Sequence, residues 1–486
     1  MDAMSFLKFR SSNSLINDTF KLGLGTTISQ AMIVLSAPVL SRIYPVEIFG
    51  ILQLLTTIIL TLSIVSGLRY EFAILLPSEH RDGLHLMILH LFFSLIVALI
   101  SGVLFYIFRE PVSALLNAPQ LSPYLWLTGF GIILFGGYNA VNFWNTRRNR
   151  YKLLAQGRIA YGGLMVLIQI LFGLLFYPSP LGLILGLFVG KISEDCIHLF
   201  GIIQNDKNIF KKGISGRNLV AQMKKYKKFP KFSLWASLIN TFSWQVPTLF
   251  LALFFNTTIV GFYMMGDRVI RMPINVIGRA IAQVFFQKGA EAHREGKIDL
   301  IFLQTVKMLS QIGFVPLLVL TFVGKELFIV LLGQKWAEAG VYVQIMAPWA
   351  FILLLASPLS NIINISEKQE KGLLFNVFIL ASRIAALIIG GVADSPRLAL
   401  AIFSFSGVLC YGWLLLWTGE VAQVPWQKTL RAVFSSDIKW SLSTIVVLTI
   451  FKFLPVSVWG MSFVSALIVL LYFFFLWKRI SVIFKS

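Results

Sequence analysis

Charged residues are scarce in this chain of 486 residues. Asp, Glu, Lys and Arg make up 13% of it, whereas a soluble domain carries about 25%. Hydrophobic residues reach 57% and include 43 Phe. Apolar runs of about 20 residues recur from end to end, and each is long enough to cross about 30 Å of hydrocarbon as a helix. The composition excludes a soluble globular protein and predicts an all-α polytopic membrane protein.

Cysteine and the common catalytic motifs are also scarce. Cys196 and Cys410 both fall in apolar segments and form neither a disulfide framework nor a metal-ligand cluster. The sequence lacks a Gly-rich P-loop, an HExxH pair and a GxSxG turn. His80, His85 and His90 stand at or near the start of the third apolar run, where we predict interfacial positions, with a role in proton handling as the alternative. We therefore expect no metal, no cofactor and no enzymatic activity.

The apolar runs predict about 14 membrane spans. They are 22–43, 47–67, 84–108, 122–144, 153–176, 181–202, 232–255, 258–286, 300–322, 341–364, 372–393, 397–418, 440–454 and 457–477. Pro38 and Pro247 interrupt the first span of each half, which favours two related halves. The predicted organisation is an N-terminal lobe over 1–203 (spans 1–6), a basic cytoplasmic loop over 204–231, a C-terminal lobe over 232–419 (spans 7–12), and an amphipathic linker with two further spans over 420–486.

Positive charge is concentrated in alternate loops. If the N-terminus is inside, the outside loops hold only Arg42, Arg109, Lys325, Lys335, Arg397 and Lys452. The positive-inside rule therefore places both termini in the cytoplasm. The net charge of +21 reflects this topology, so a nucleic-acid partner is not expected, whereas the basic loop is suited to contact with anionic membrane lipids.

The eighth span carries charge deep in the membrane, within the stretch GDRVIRMPINVIGRA. Arg268 and Arg271 lie about 15 and 20 Å from its outer end. Each central Asp or Arg costs about 2.5–3.5 kcal/mol to insert, so this helix cannot face lipid. At helical spacing, one stripe is formed by Arg268, Arg271, Asn275, Arg279 and Gln283. Two interpretations are open: a cationic wall of an aqueous cavity, or a static ion-pair network in which Asp267 neutralises one arginine.

Other spans also contain charges. Lys191 lies one helical turn before Glu194 and Asp195, and the three can pair. The deep set has more Arg and Lys than carboxylate and should select an anion, because guanidinium groups suit phosphate oxygens. The predicted substrate-binding residues are Arg268, Arg271, Asn275, Arg279, Arg383, Lys191, Arg69 and Lys307. The predicted ion-coupling residues are Glu194, Asp195, Asp267 and Glu71.

Three segments of the chain resemble one known family. They are KLGLGTTISQAMIVLSAPVLSRIYPVEIFGILQLL, GLRYEFAILLP and GDRVIRMPINVIGRAIAQVFFQKGAEAHREGK. All three are similar to the Wzx-type polysaccharide flippases, which belong to the multidrug/oligosaccharidyl-lipid/polysaccharide (MOP) exporter superfamily. The resemblance covers most of the chain through the twelfth span.

This resemblance implies a fold and a function. Two pseudo-symmetric six-helix lobes would form a V around a central cationic cavity. The protein would move an undecaprenyl-diphosphate-linked oligosaccharide across the bacterial inner membrane by alternating access, for O-antigen, capsule or exopolysaccharide synthesis. The coupling ion would be H⁺ or Na⁺, and the polysaccharide polymerase and chain-length proteins are candidate partners.

Three other functions stay open at this point. A lipid-II flippase of the same superfamily shares the span number and the cationic cavity. A multidrug cation antiporter is disfavoured, because cationic substrates need carboxylates in the cavity. A membrane glycosyltransferase or polymerase should have a large outside loop, and no predicted outside loop exceeds about 15 residues.

Overall fold

The computed structural model of the chain describes residues 13–211, 214–366, 368–435, 438–454 and 457–485. All regular secondary structure in these ranges is helical, which confirms the predicted all-α class. The cytoplasmic charges predicted at Lys8 and Arg10 lie outside the described residues.

The helices of the first part of the chain are numbered α1 to α12. They are α1 Asn13–Leu35, α2 Ala37–Ile43, α3 Val46–Ser66, α4 Tyr70–Ala73, α5 His80–Ile107, α6 Arg109–Leu115, α7 Leu127–Arg147, α8 Tyr151–Leu175, α9 Pro180–Asn205, α10 Lys207–Lys211, α11 Gly216–Lys225 and α12 Leu234–Phe254. A 3₁₀ turn covers Pro119–Tyr124, and a π-helical turn covers Phe229–Ser233 just before α12.

The helices of the second part are numbered α13 to α22. They are α13 Thr257–Pro273, α14 Arg279–Arg294, α15 Ile298–Leu332, α16 Ala337–Leu359, α17 Ile362–Ile365, α18 Gln369–Val392, α19 Pro396–Val421, α20 Trp426–Ser435, α21 Ile438–Phe453 and α22 Val458–Lys485. A π-helical turn, Ile274–Gly278, joins α13 to α14, and a 3₁₀ turn, Gln334–Trp336, precedes α16.

Eleven helices among the described residues are long and apolar enough to cross a membrane. Three predicted spans are not among them. Two of these form full-length helices of more polar sequence, α7 and α9, and in the third the apolar stretch Leu442–Phe453 is shorter than the others. The chain is a multi-pass membrane protein, and the number of fourteen spans stays a prediction.

Close helix packing in the first part depends on small residues. Helix α5 packs on α7, and α8 packs on α9 and α1. A Cβ added to Gly129 on α7 would lie 2.6 Å from the carbonyl oxygen of Ala98 on α5. Small residues let the backbones of two membrane helices approach closely. The helices then associate through van der Waals contact, because no hydrophobic force drives them together in lipid.

A buried carboxylate, Asp206, ties together the ends of α7, α8 and α9. It accepts hydrogen bonds from Trp144 Nε1 at 2.8 Å and from Arg150 Nη2 at 2.7 Å, and Arg148 Nε lies 3.1 Å away. The two guanidinium groups and the indole balance the cost of burying the charge. The arginines after α7 therefore connect the ends of three helices, in addition to contributing to the positive charge that predicts the topology.

The guanidinium of Arg147 organises the connection between α4 and α5. It donates to the main-chain carbonyl oxygens of Ile74 at 2.9 Å, Pro77 at 2.6 Å and Glu79 at 3.0 Å. The fixed fork of an arginine suits several acceptors at once. The segment after the second span is thus held on α7 through its backbone.

The second part of the chain is built around α15 and α16, and α16 and α18 both pack on α19. Helices α20, α21 and α22 pack on α15. Ser310 Oγ donates to the carbonyl oxygen of Val433 at 2.5 Å, and the Tyr472 hydroxyl donates to that of Gln311. The last helices are therefore attached to α15.

Helix packing divides the chain into two compact units, with the boundary between Gly261 and Phe262. The first is called here the N-terminal unit and the second the C-terminal unit. Helix α12 packs on α3 and belongs to the N-terminal unit, although the sequence assigned it to the C-terminal lobe. The predicted lobes over 1–203 and 232–419 stay a prediction, because packing units and sequence repeats need not coincide.

Candidate functional site

The charged stretch of the eighth span begins with an ion pair on α13. Arg271 Nε donates to Asp267 Oδ1 at 2.6 Å, and the Tyr263 hydroxyl lies 3.5 Å from the same oxygen. The three residues are spaced four apart and share one helix face. The Arg271 and Asp267 side chains keep 24% and 19% of their surface exposed. The ion pair allowed by the sequence is present, and its arginine is still accessible.

The predicted stripe does not continue in a straight line. Pro273 cannot donate to the preceding turn, and the next five residues, Ile274–Gly278, form a π-helical turn. A π turn rotates the following side chains away from the α-helical line. The single stripe was therefore wrong beyond Pro273. Asn275 and Arg279 are both exposed.

Arg383 on α18 is buried within the same unit. Its Nη2 lies 3.3 Å from the hydroxyl of Tyr411, and its guanidinium carbon stands 5.5 Å from the ring centre of Phe403 and 6.0 Å from that of Trp349. Aromatic faces stabilise a guanidinium through cation–π attraction. These contacts hold the charge in a fixed orientation inside the membrane region.

Arg271 and Arg383 belong to one cluster in the C-terminal unit. Both arginines interact electrostatically with Tyr411, and both also interact with Tyr263. We call Arg271, Arg383, Asp267, Tyr263 and Tyr411 the arginine cluster. Its formal charge is positive, because two guanidinium groups stand beside one carboxylate.

Two other predicted substrate residues lie in the same unit. Arg268 is half-buried on α13, three residues before Arg271. Lys307 is exposed on α15 and forms no ion pair with any residue in the described part of the chain. The structure therefore does not link Lys307 to the arginine cluster.

Lys191 lies at the centre of a different cluster, in the N-terminal unit. Its Nζ donates to Glu194 Oε2 at 2.6 Å, lies 3.6 Å from Asp195 Oδ1 and stands 3.1 Å from the ring centre of Tyr138. Arg158 Nε adds a contact to Glu194 Oε1 at 3.3 Å. The predicted pairing of Lys191 is confirmed. Its side chain is buried, with 3% of its surface exposed, and its role in substrate binding stays a prediction.

The end of the second span forms a third polar site. Arg69 Nη1 lies 2.9 Å from Glu71 Oε1, and Glu71 Oε2 lies 3.1 Å from His90 Nδ1. Leu68 and Arg69 both have positive φ, at 50° and 63°, and this left-handed turn brings the two charged side chains together. Burial lowers the pKa of the Arg69 guanidinium, and the Glu71 carboxylate opposes that shift.

Sequence reasoning missed the buried contacts of His90. Its ring is buried and its Nε2 lies 2.9 Å from the carbonyl oxygen of Gly136, while its interfacial depth stays a prediction. His85 is also buried. The sequence contained one signal for this packing. Gly67 has no side chain, and a Cβ added there would lie 1.9 Å from the His90 ring.

The fold of the chain matches known transporters. A lipid II flippase, MurJ, in an inward closed conformation superposes with a TM-score of 0.71 at 12% sequence identity, over 96% of this chain and 100% of that one. An inward-facing multidrug resistance transporter of the MATE family, from the MOP superfamily, gives a TM-score of 0.61 at 13% identity, over 87% and 98%. The protein therefore has the fold of the MOP superfamily.

Sequence comparison gives the family within that fold. A profile described as polysaccharide biosynthesis protein matches residues 39–341, and the chain belongs to this family. It is 22% identical over 308 residues to the succinoglycan biosynthesis transport protein ExoT of Rhizobium meliloti, covering 63% of this chain and 60% of ExoT. It is 21% identical over 364 residues to the lipopolysaccharide biosynthesis protein WzxC of Escherichia coli, covering 73% and 70%. The resemblance to the Wzx-type group is confirmed.

Proposed function

We propose that this protein is a flippase of the bacterial inner membrane, with both termini in the cytoplasm. Its substrate is an undecaprenyl-diphosphate-linked glycan used to build a surface polysaccharide, and it moves this lipid by alternating access. The family match and the similarity to ExoT and WzxC support transport for polysaccharide synthesis. They favour a transporter over an enzyme.

The arginine cluster is the observation that supports a diphosphate as the recognised group. Arg271 and Arg383 are charged side chains within apolar helices, where such residues generally serve function. Guanidinium forks bind phosphate oxygens in bidentate geometry, and each charge-assisted hydrogen bond is worth about 1.5–3 kcal/mol. Asp267 pairs with Arg271 through Nε at 2.6 Å, and this single carboxylate leaves the cluster with a net positive charge that attracts an anion.

The buried pair of Glu71 and His90 is the strongest candidate for the coupling site. His90 Nε2 faces a carbonyl oxygen, so it must carry a hydrogen, and in a neutral ring Nδ1 is then a lone pair. That lone pair stands 3.1 Å from Glu71 Oε2, and neither atom has another hydrogen-bond partner among the described residues. Two facing lone pairs repel each other. We therefore assign one bound proton to the pair, shared between carboxylate and imidazole.

Glu194 is a weaker candidate for coupling, whereas Asp195 stays an open one. The Glu194 carboxylate is neutralised by Lys191 and contacted by Arg158, and Asp195 is near the same ammonium. Glu194 is contacted by two fixed cations and Glu71 by one, Arg69, so Glu194 has less reason to bind a proton. This cluster is better suited to hold α8 and α9 together.

The test of the proposed function is glycan export by a deletion strain that carries Arg271→Ala or Arg383→Ala. Arg397→Ala is the matched control, because Arg397 is an exposed arginine bound to Glu338 in the same unit. We expect lost export and accumulation of lipid-linked glycan for the first two, at normal membrane abundance, and normal export for the control. Normal export by both cluster variants would refute the assignment.

A second strain distinguishes the rival flippase. A lipid-II flippase would restore growth to cells depleted of their own lipid-II flippase. We expect no such rescue by the wild-type protein. Rescue without glycan export would replace the proposed substrate by lipid II.

A further inference from the structure

A patch of uncharged polar side chains lies inside the membrane region of the N-terminal unit. It consists of Gln53 and Thr57 on α3 and Gln245 and Thr248 on α12. We call these four residues the amide patch. It lies beside Pro247, which interrupts α12 and leaves the helix without one backbone donor. None of these residues belongs to the arginine cluster or to the pair of Glu71 and His90.

Hydrogen bonds connect the four side chains in a chain. Gln53 Nε2 donates to Thr248 Oγ1 at 3.4 Å and to Thr57 Oγ1 at 3.5 Å, and Thr57 Oγ1 donates to Gln245 Oε1 at 3.1 Å. The two threonines are buried, whereas the two glutamines are half-buried. The two glutamines therefore contribute the accessible part of the patch.

These hydrogen bonds leave one atom of each glutamine amide without a partner. Gln53 Oε1 and Gln245 Nε2 have no hydrogen-bond partner in the described part of the protein. Reversing the direction of the hydrogen bonds exchanges the two roles and again leaves one acceptor and one donor group. Both amides contact the same threonine hydroxyl, so the unused donor and acceptor are close neighbours. In hydrocarbon, unsatisfied groups of this kind carry a cost.

Hydrogen bonding between helices does not by itself explain the amide patch. Gln169 shows what that role looks like in this protein, because its side chain is buried and its Nε2 donates to the carbonyl oxygen of Leu183 at 3.0 Å. Polar residues that only join helices are enclosed in this way. Gln53 and Gln245 are instead half-buried, and each keeps one amide atom without a hydrogen-bond partner among the described residues.

We propose that the amide patch binds sugar hydroxyls of the lipid-linked glycan. A sugar hydroxyl is both donor and acceptor, so neighbouring hydroxyls match an adjacent amide donor and acceptor. The patch is uncharged and offers nothing specific to a phosphate or to a lipid tail. A site built to hydrogen-bond hydroxyls discriminates against ligands that lack them. This inference rests on the proposed function and adds recognition of the sugar to recognition of the diphosphate.

The experiment compares two probes on the purified full-length protein in lipid nanodiscs. One probe is undecaprenyl diphosphate, and the other is undecaprenyl diphosphate that carries a single glucose. The variants are Gln53→Met and Gln245→Met, which keep the side-chain length and remove the amide. Thr61→Val is the matched control on α3, because the Thr61 hydroxyl bonds only to the carbonyl oxygen of Thr57 in its own helix.

We expect the wild type and Thr61→Val to bind the glucose-bearing lipid more tightly than the bare lipid. Each Gln→Met variant should lose about tenfold of this preference and bind the bare lipid as the wild type does. Equal affinity of the wild type for the two lipids, or equal loss for both in the variants, would overturn the inference alone. If the wild type binds neither lipid, the proposed function fails with it. Two independent variants keep the test decisive if one of them does not fold.

Discussion

Asp267 limits the affinity of the arginine cluster for an anion, and its removal is a sharp test of the electrostatic argument. Asp267→Asn keeps an amide oxygen that accepts from Arg271 Nε and removes the negative charge. A phosphate bound to the far side of the guanidinium would stand about 6 Å from that carboxylate. At an effective dielectric constant of about 20, the repulsion is about 3 kcal/mol. Because both side chains are partly exposed, solvent screening reduces the effect, and we expect a gain of about tenfold in affinity.

The assay is binding of undecaprenyl diphosphate to the purified variants at low and high salt. Tighter binding by Asp267→Asn should be largest at low salt, because screening weakens the interaction that the substitution removes. Glu338→Gln is the matched control: it neutralises a carboxylate paired with an arginine at 2.6 Å elsewhere in the same unit, and it should leave binding unchanged. Weaker binding by Asp267→Asn would show that the carboxylate orients Arg271, and the charge argument would then be wrong.

Three further outcomes follow from the packing and the polar contacts. Asp206→Ala leaves two arginines and an indole without their shared acceptor, so the free energy of unfolding should fall by about 3–5 kcal/mol, measured by thermal unfolding in detergent. Gly390→Ala should reduce membrane abundance, because an added Cβ would lie 2.2 Å from Cα of Ala399 on the neighbouring helix; abundance equal to the wild type would contradict this packing. Glu71→Gln should remove a protonated-carboxyl band from the infrared spectrum of the wild type, and an unchanged band would place the proton elsewhere.

The sequence was sufficient for the fold class, and for much of the helix plan. Apolar length and charge distribution determine where a chain can cross hydrocarbon, and these are local properties. The α-helical line drawn through Arg268 and Arg279 failed for a local reason too. Pro273 indicated a kink, but whether a proline produces a bend or a π turn depends on how neighbouring helices satisfy the freed carbonyl.

The contacts of the site depend on three-dimensional packing, which spacing cannot supply. Lys191 and Arg383 looked alike in the sequence, since each is a cation deep in an apolar span. In the structure one is enclosed by two carboxylates and the other by aromatic rings and a tyrosine hydroxyl. The carboxylates near Lys191 are one turn away in sequence, so that pairing was predictable. Tyr411 and Phe403 come from another helix, so their contact with Arg383 was not.

The contacts of Arg147 determine which changes the segment after the second span can accept. Its guanidinium binds main-chain oxygens of Ile74, Pro77 and Glu79, and every residue type supplies such an oxygen. The side chains of this segment are therefore free to diverge without loss of the anchor. An insertion or deletion between these positions would move the oxygens out of reach. Selection on this segment should act on its length, while its composition drifts.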